Sequence, residues 1–274
     1  MKSSAKIVSL IALIALLAAC ASHKPQDSIK ISAKPKPRAS QAMNFPSTPK
    51  LPGQWTVEDV MEDFGAYAGR KMRPYFAKAK VAYPPREVVL LALKEEKKLE
   101  VWARADGEFR FIRDYDIQAA SGGAGPKLRQ GDRQVPEGIY RIVSLNPNSH
   151  YHLSMKLNYP NEFDLFHAGQ EGRYDPGSDI FIHGKAASIG CLAMGDETIE
   201  ELFVLAAQVG KENVKVVIAP RDPRQLPLQP AEDGLPAWTP ELYGMIASEV
   251  RALSPPVSLS NNGHSSQARP SENR

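Results

Sequence analysis

The residues most able to do chemistry lie in the stretch IFIHGKAASIGCLAM, which runs from Ile180 to Met194. His183 ends an apolar run, and Cys191 follows eight residues later, between a glycine and a leucine. A thiol acts as a nucleophile in its thiolate form, and an imidazole within hydrogen-bond reach can stabilise or generate that form. The alternative is that Cys191 is an inert, buried small hydrophobe. The neighbouring residues favour the reactive cysteine.

The elements around the two residues can bring them together. SDIFIHG predicts a strand that ends at His183 and Gly184, and KAASIG predicts a loop that returns the chain to Cys191. Gly184 and Gly190 permit close approach of the backbone. The amides around Gly190 and Cys191 could then face a developing oxyanion, where each donor is often worth about 3 kcal/mol. This arrangement predicts an activated cysteine with an oxyanion-binding loop.

The rest of the central region predicts a mostly β core with flanking helices. TVEDVMEDFGAYAG has apolar residues at helical spacing, with Thr56 and Asp59 as a capping pair. A second apolar stripe runs from Ile199 to Val209, with Thr198 and Glu201 as its predicted capping box. Seven β-type runs lie between turn residues: EVVLLALK, LEVWARA, FRFIRDYDIQ, GIYRIVSL, HYHLSMKLNY, SDIFIHG and NVKVVIAP.

The stretch HG, a loop and then S-x-G-C resembles the signature of the YkuD-type L,D-transpeptidase catalytic domain. The segment ASGGAGPKLRQGDRQVPEGIYRI, from Ala120 to Ile142, is similar to a second segment of that family. The resemblance covers about Val88 to Pro220, and YPN, HG and GC-x-AM together are most similar to the YafK-like members. It implies a mostly β domain with a sandwich-like or barrel-like sheet, and no cofactor.

By this resemblance, the catalytic residues can be named. Cys191 is the nucleophile, His183 is its general base, and the carbonyl of Gly184 orients the imidazole. Ser188 is a supporting polar residue, and Gly190 belongs to the catalytic loop.

The chain departs from the family pattern on both sides of the cysteine. Many members carry a histidine directly before Gly-Cys, where this chain has Ile189. Where such members have a polar or basic residue after the cysteine, this chain has Leu192, Ala193 and Met194. These differences leave open whether the enzyme transfers an acyl group to an amine or to water.

Two further residues are predicted to contact substrate. His152 can line the substrate cleft, whereas a metal site with His150 and His167 is the less favoured interpretation. Lys127 lies near Arg129, Asp132 and Arg133, in a group that is typical of a solvated loop or of a contact with a substrate carboxylate.

The N-terminus predicts export. Lys2 and Lys6 precede an apolar run from Ile7 to Ala19, which is shorter than the roughly 20 residues that span a bilayer. The sequence LAAC resembles a bacterial lipobox, which makes Cys20 the predicted lipidation site; the alternative is an ordinary signal peptide that ends in cysteine.

Composition, together with the family resemblance for the catalytic domain, divides the chain into five predicted segments. They are a signal peptide (1–19), a lipidated cysteine with a Pro- and Lys-rich tether (20–53), a helical segment (54–87), the catalytic domain (88–220), and a Pro-rich, largely disordered tail (221–274). Without Lys2 and Lys6, the formal net charge of +3 falls to about +1, which does not indicate nucleic-acid binding. With Cys20 lipidated, Cys191 has no intramolecular partner for a disulfide.

The predicted function is that of an exported, peptidoglycan-modifying cysteine enzyme on the periplasmic face of a membrane, with the outer membrane favoured. Its expected partners are peptidoglycan stem peptides and the membrane, with a wall-linked lipoprotein as a further candidate. One alternative is a hydrolase, an L,D-carboxypeptidase or amidase, that uses the same thioester to release stem-peptide-linked groups or a wall-bound lipoprotein. The other is a non-catalytic wall-binding lipoprotein. A papain-like or NlpC-like peptidase is disfavoured, because it expects the cysteine before the histidine.

Overall fold

The computed structural model describes residues 53–229 and 234–253. The predicted signal peptide, the lipidation at Cys20 and almost all of the tether lie outside these residues, as do residues 254–274 of the tail. Within the described ranges, no helix combines the length and the apolar character needed to cross a bilayer.

Within those ranges, four α-helices and nine strands form the domain. The helices are α1 (Val57–Ala79), α2 (Glu162–Gln170), α3 (Asp196–Val209) and α4 (Thr239–Leu253). The strands are β1 (Glu87–Leu93), β2 (Lys98–Arg104), β3 (Arg110–Asp116), β4 (Ala119–Ala120), β5 (Gly138–Ser149), β6 (His152–Leu157), β7 (Phe181–His183), β8 (Leu192–Ala193) and β9 (Val214–Ala219).

The strands follow the order β3-β2-β1-β9-β5-β6-β7-β8-β4. Pairing is parallel between β1 and β9 and between β7 and β8, and antiparallel elsewhere. The first part of β5 pairs with β9, and the rest pairs with β6 across two irregularities in register. Such bulges bend a strand. β5 therefore joins the β1 half of the sheet to the half that carries β7 and β8.

The centre of the sheet is covered on both faces, which explains the near-continuous apolar sequence EVVLLAL of β1. Val88, Leu90 and Ala92 belong to the main core, together with α1 and α3. The alternate residues of β1 pack in a second cluster, whose members are Val89, Leu91, Leu93, Trp102, Val217, Ala219, Leu242, Tyr243, Ile246, Val250 and Leu253. α4 supplies the last five of these residues and forms the cover on that face.

Most of the elements were predicted, and the fold class of mostly β structure with flanking helices is confirmed. Each of the seven predicted β-type runs contains a strand, and α1 begins with the predicted capping box of Thr56 and Asp59. The capping box predicted for α3 was wrong, because this helix begins at Asp196, directly after Gly195. Glu201 instead accepts a hydrogen bond from the Tyr115 hydroxyl at 2.6 Å.

The tail differs from the sequence-based expectation over the residues of α4. Residues 221–274 were predicted to be largely disordered, yet residues 239–253 form a helix whose apolar side is buried on the sheet. Buried polar contacts through Glu137 also hold this helix in place. The Tyr243 hydroxyl donates to Glu137 Oε2 at 2.9 Å, and Lys94 Nζ lies 2.9 Å from Glu137 Oε1.

We expect Tyr243→Phe to lower the free energy of unfolding by about 1–3 kcal/mol, because it leaves a buried carboxylate oxygen of Glu137 without its donor. Urea unfolding measures this change, with the slope of the transition unaltered. Tyr174→Phe is the matched control, since it removes the same hydroxyl from a side chain that is 98% exposed. Equal stability of the two variants would contradict a stabilising role for the hydrogen bond from Tyr243 to Glu137.

Candidate active site

The sheet register places His183 at the end of β7 and Cys191 directly before β8, the neighbouring strand. β7 and β8 are parallel, with Ile182 beside Leu192 and His183 beside Ala193. One further step in this register puts Cys191 beside Phe181. Alternate side chains of a strand share a face, so the side chains of Cys191 and His183 lie on the same face, two positions apart along the strands. Both residues line one cavity.

Gly184 is required where it stands because the backbone is crowded there. A Cβ atom at this position would lie 2.6 Å from the Tyr151 carbonyl oxygen and 2.7 Å from Asp196 Oδ1. Contacts this short do not occur at real Cβ atoms. The HG pair of the sequence therefore combines a functional side chain with a residue that lets the β5–β6 turn approach.

His183 is held in one tautomer. Its Nδ1 lies 2.6 Å from the Gly184 carbonyl oxygen, which can only accept, so Nδ1 carries the proton and donates it. Nε2 is then the lone-pair nitrogen, as a general base requires. The Tyr151 ring packs against the imidazole, with ring centroids 4.6 Å apart. Burial lowers the pKa of His183, while the hydrogen bond to Gly184 opposes this shift.

Cys191 is a free, partly buried thiol. Its Sγ lies 3.8 Å from the Asp179 carbonyl oxygen. Burial raises the pKa of the thiol; the backbone amide of Phe181 and the charge of Lys127 oppose the increase. With the pKa of Cys191 raised and that of His183 lowered, the resting pair at neutral pH consists of a thiol and a neutral imidazole.

Ser188 organises the loop before the cysteine. Its Oγ donates to the Cys191 carbonyl oxygen at 2.6 Å and is approached by the amides of Gly190 and Cys191 at 3.3 and 3.2 Å. The Ser121 hydroxyl oxygen lies 3.2 Å from Ser188 Oγ. The expectation that the amides of Gly190 and Cys191 face an oxyanion is therefore corrected: in this arrangement Ser188 Oγ is their acceptor. The role of Ser188 is larger than the sequence indicated.

The cavity has a volume of about 820 Å³. It is lined by Lys127, Gln130, Gly131, Arg133, Asn146, Asn148, Ser149, His150, Tyr151, Ser154, Ser178, Asp179, Ile180, Phe181, His183, Ala187, Ser188, Ile189 and Cys191. Lys127 lines this wall but is buried, and its Nζ donates to Asp132 Oδ1 at 2.5 Å and to the Arg129 carbonyl oxygen at 2.9 Å. Its loop is thus an internally bonded turn, not the solvated loop favoured from composition. The contact of Lys127 with substrate stays a prediction.

The prediction that His152 lines the cleft was wrong. Its backbone has a left-handed φ of 74°, which interrupts the strand alternation from His150, and its Nε2 lies 2.8 Å from Glu200 Oε1 on α3. His150 lines the cavity, whereas His167 stacks on Trp238. Within residues 53–229 and 234–253, no three His, Cys, Asp or Glu side chains are grouped so that they could hold a metal ion.

Three residues at the site were not predicted. Tyr151 covers the His183 ring, Asp179 presents its carbonyl to the thiol, and Ser121 contacts Ser188. The sequence gives little signal for them, because each reaches the site through a loop or a turn. The one clue was that Ser121 opens the Gly-rich part of the second family-like segment.

Comparison with known proteins supports the resemblance seen in the sequence. Residues 87–218 match the model of the L,D-transpeptidase catalytic domain, YkuD. The putative L,D-transpeptidase YafK of Escherichia coli K12 is 38% identical over 138 residues, which is 48% of this chain and 54% of the relative. The matched segment, residues 87–218, is thus a YkuD-type L,D-transpeptidase catalytic domain. The chain spans about half the length of the curated relatives that it matches.

The solved structures that resemble the YkuD domain include two from other bacteria. The helical cell shape determining protein Pgp2 of Campylobacter jejuni shares 23% identity at a TM-score of 0.41, over 52% of this chain and 50% of that one. Bd1075 of Bdellovibrio bacteriovorus shares 24% identity at a TM-score of 0.36, over 50% and 49% of the two chains. The YkuD match contains both Cys191 and His183, whereas α4 lies outside it.

Proposed function

We propose that this protein is an exported cysteine acyltransferase that acts on peptidoglycan stem peptides through a thioester at Cys191. The match of residues 87–218 to the L,D-transpeptidase catalytic domain supports this substrate class. The observation that carries the proposal is the geometry of His183. Its Nδ1 is committed to the Gly184 carbonyl, which leaves Nε2 as a base on the cavity wall shared with Cys191.

The first half-reaction forms the acyl-enzyme. As Cys191 Sγ attacks the carbonyl of a diaminopimelate or similar residue, His183 Nε2 takes the thiol proton and a C–S bond forms. The C–N bond to the next residue then breaks, and His183 returns the proton to the leaving amine. The remaining peptide stays attached to Cys191 as a thioester.

In the second half-reaction, an amine or water attacks the thioester carbonyl carbon while His183 accepts its proton. The C–S bond then breaks, and His183 returns the proton to sulfur. An amine yields a crosslink or an attached protein, such as a wall-linked lipoprotein, and water yields a shortened stem peptide. The rim position Ile189 is apolar and 75% exposed, so it offers no side-chain hydrogen bond to either acceptor. The match to the L,D-transpeptidase catalytic domain favours transfer to an amine, and hydrolysis is the alternative.

Incubation of the purified protein with muropeptides, with products resolved by mass, tests the proposal. A crosslinked mass supports transfer, and a water-added fragment supports the hydrolase. Unchanged muropeptides together with no acyl adduct on Cys191 would refute both and leave the non-catalytic wall-binding lipoprotein. No cofactor is needed in any step.

We infer that the protein is anchored by lipid at Cys20 on the periplasmic face of a membrane. The support is the lipobox-like LAAC sequence, and the Ala21 and Ser22 that follow resemble an outer-membrane-directed lipoprotein.

We expect Cys20→Ser to remove the protein from the membrane fraction, because stable anchoring requires the insertion of two or more lipid chains. Fractionation and metabolic labelling with a palmitate analogue measure the change. Ser28→Ala, a substitution further along the predicted tether, is the control and should keep both label and location. Unchanged fractionation and labelling of Cys20→Ser would refute the anchor.

A further inference from the structure

The charged side chains of the cavity wall are paired, with one exception. Lys127 pairs with Asp132, and Asp179 accepts from Lys156 Nζ at 2.6 Å. Arg133 also lines the cavity and is exposed, but within residues 53–229 and 234–253 no carboxylate pairs with its guanidinium. The paired charges offset each other locally, so Arg133 gives the wall a single unbalanced positive charge.

The backbone that carries Arg133 is fixed. Arg133 has a left-handed φ of 57°, a conformation that a non-glycine residue holds only where its surroundings impose it. On one side, the Asp132 carboxylate accepts from the amides of Leu128, Arg129 and Gln134. On the other side, the side-chain nitrogen Nε2 of Gln134 donates to the Gly125 carbonyl oxygen at 2.6 Å. A fixed backbone lowers the entropy cost of holding the guanidinium toward a ligand.

We propose that Arg133 forms a carboxylate subsite of the cavity and binds a free carboxylate of the stem peptide while Cys191 attacks the neighbouring carbonyl. This inference rests on the proposed function. A guanidinium suits the task, because it presents paired donors that match a carboxylate in a bidentate geometry. A stem peptide carries several free carboxylates, so the charge of the ligand fits the unbalanced charge of the wall.

The test measures binding in the Cys191→Ala background, so that no turnover occurs. The probe is a synthetic tetrapeptide, L-Ala-γ-D-Glu-diaminopimelyl-D-Ala, with three analogues in each of which one free carboxylate is amidated. Binding is measured by calorimetry at one fixed pH for all variants and peptides. We expect one analogue to bind about tenfold more weakly than the parent peptide, and Arg133→Gln to bind the parent and that analogue equally.

Arg129→Gln is the matched control, since it removes the same charge from the same loop at a residue outside the cavity lining. It should bind all four peptides as the Cys191→Ala protein does. Arg133→Lys should restore part of the discrimination, and thermal melting verifies that each variant is folded.

The subsite is overturned if amidation weakens peptide binding by the same factor in the Cys191→Ala protein and in its Arg133→Gln variant. It is also overturned if Arg129→Gln changes peptide binding as much as Arg133→Gln does. The proposed function is checked separately by the acyl adduct that the unsubstituted protein forms with the parent peptide. If the adduct forms but Arg133→Gln does not change the discrimination between peptides, only the subsite is refuted. If neither the adduct nor peptide binding is detected, both the subsite and the proposed function are refuted.

Discussion

Cys191→Ala is expected to abolish turnover of muropeptides and formation of an acyl adduct while the fold persists. The variant lacks the atom that bonds to the substrate, and loss of a nucleophile of this kind lowers the rate on the order of 10⁵-fold or more. The thiol lines an open cavity and is only partly buried, so its removal creates no closed void in the core. Intact-protein mass, product mass and thermal melting measure the three expected results.

The wild-type protein with its thiol blocked is a second control for this variant, because it should lose the same activity without any substitution. Retained turnover in well-folded Cys191→Ala would refute the thioester mechanism. A loss of activity that merely follows a loss of folded protein would assign Cys191 a packing role instead.

His183→Ala is expected to lower turnover by about 10²–10⁴-fold, the usual contribution of general acid and base catalysis. Peptide binding should change little, because the role of the imidazole is to move a proton. In the wild type, the lowered pKa of His183 should put the rising limb of kcat/KM at a pH below the ordinary histidine value of about 6.5, since the base acts once it is deprotonated. His183→Ala should lack this limb.

His167→Ala is the control for loss of an imidazole, because His167 stacks on Trp238 and is not part of the cavity lining. The activity of His167→Ala per folded molecule should equal that of the wild type. Full activity per folded molecule in His183→Ala, with an unchanged pH profile of thiol alkylation, would refute the base assignment and make His183 a packed residue at a strand end.

The strands were predictable because apolar runs of β-branched residues are bounded by turn residues throughout the catalytic region. The Cys191 and His183 pair was predicted for a different reason, because HG, a loop and then S-x-G-C resembles a family signature. The glycines beside both side chains were expected to permit close approach of the backbone, and Gly184 has no room for a Cβ atom.

The failures have identifiable physical causes. His152 was placed on the cleft by extending a strand alternation across a left-handed residue, which no periodicity reveals. Lys127 was judged by composition, yet a single turn buries it against Asp132. Leu242, Tyr243, Ile246 and Val250 did recur at helical spacing, but the surrounding proline and polar residues outweighed that signal.

The position of α4 bears on what counts as the smallest autonomous piece of this chain. The family match ends at residue 218, but the face of the sheet that carries Val89, Leu91 and Val217 is covered by a helix that ends at Leu253. A fragment cut at the family boundary would present that apolar face to water, and exposed faces of this kind promote association between copies. A catalytic fragment that is meant to stay monomeric should therefore extend through Leu253, so that α4 still covers this face.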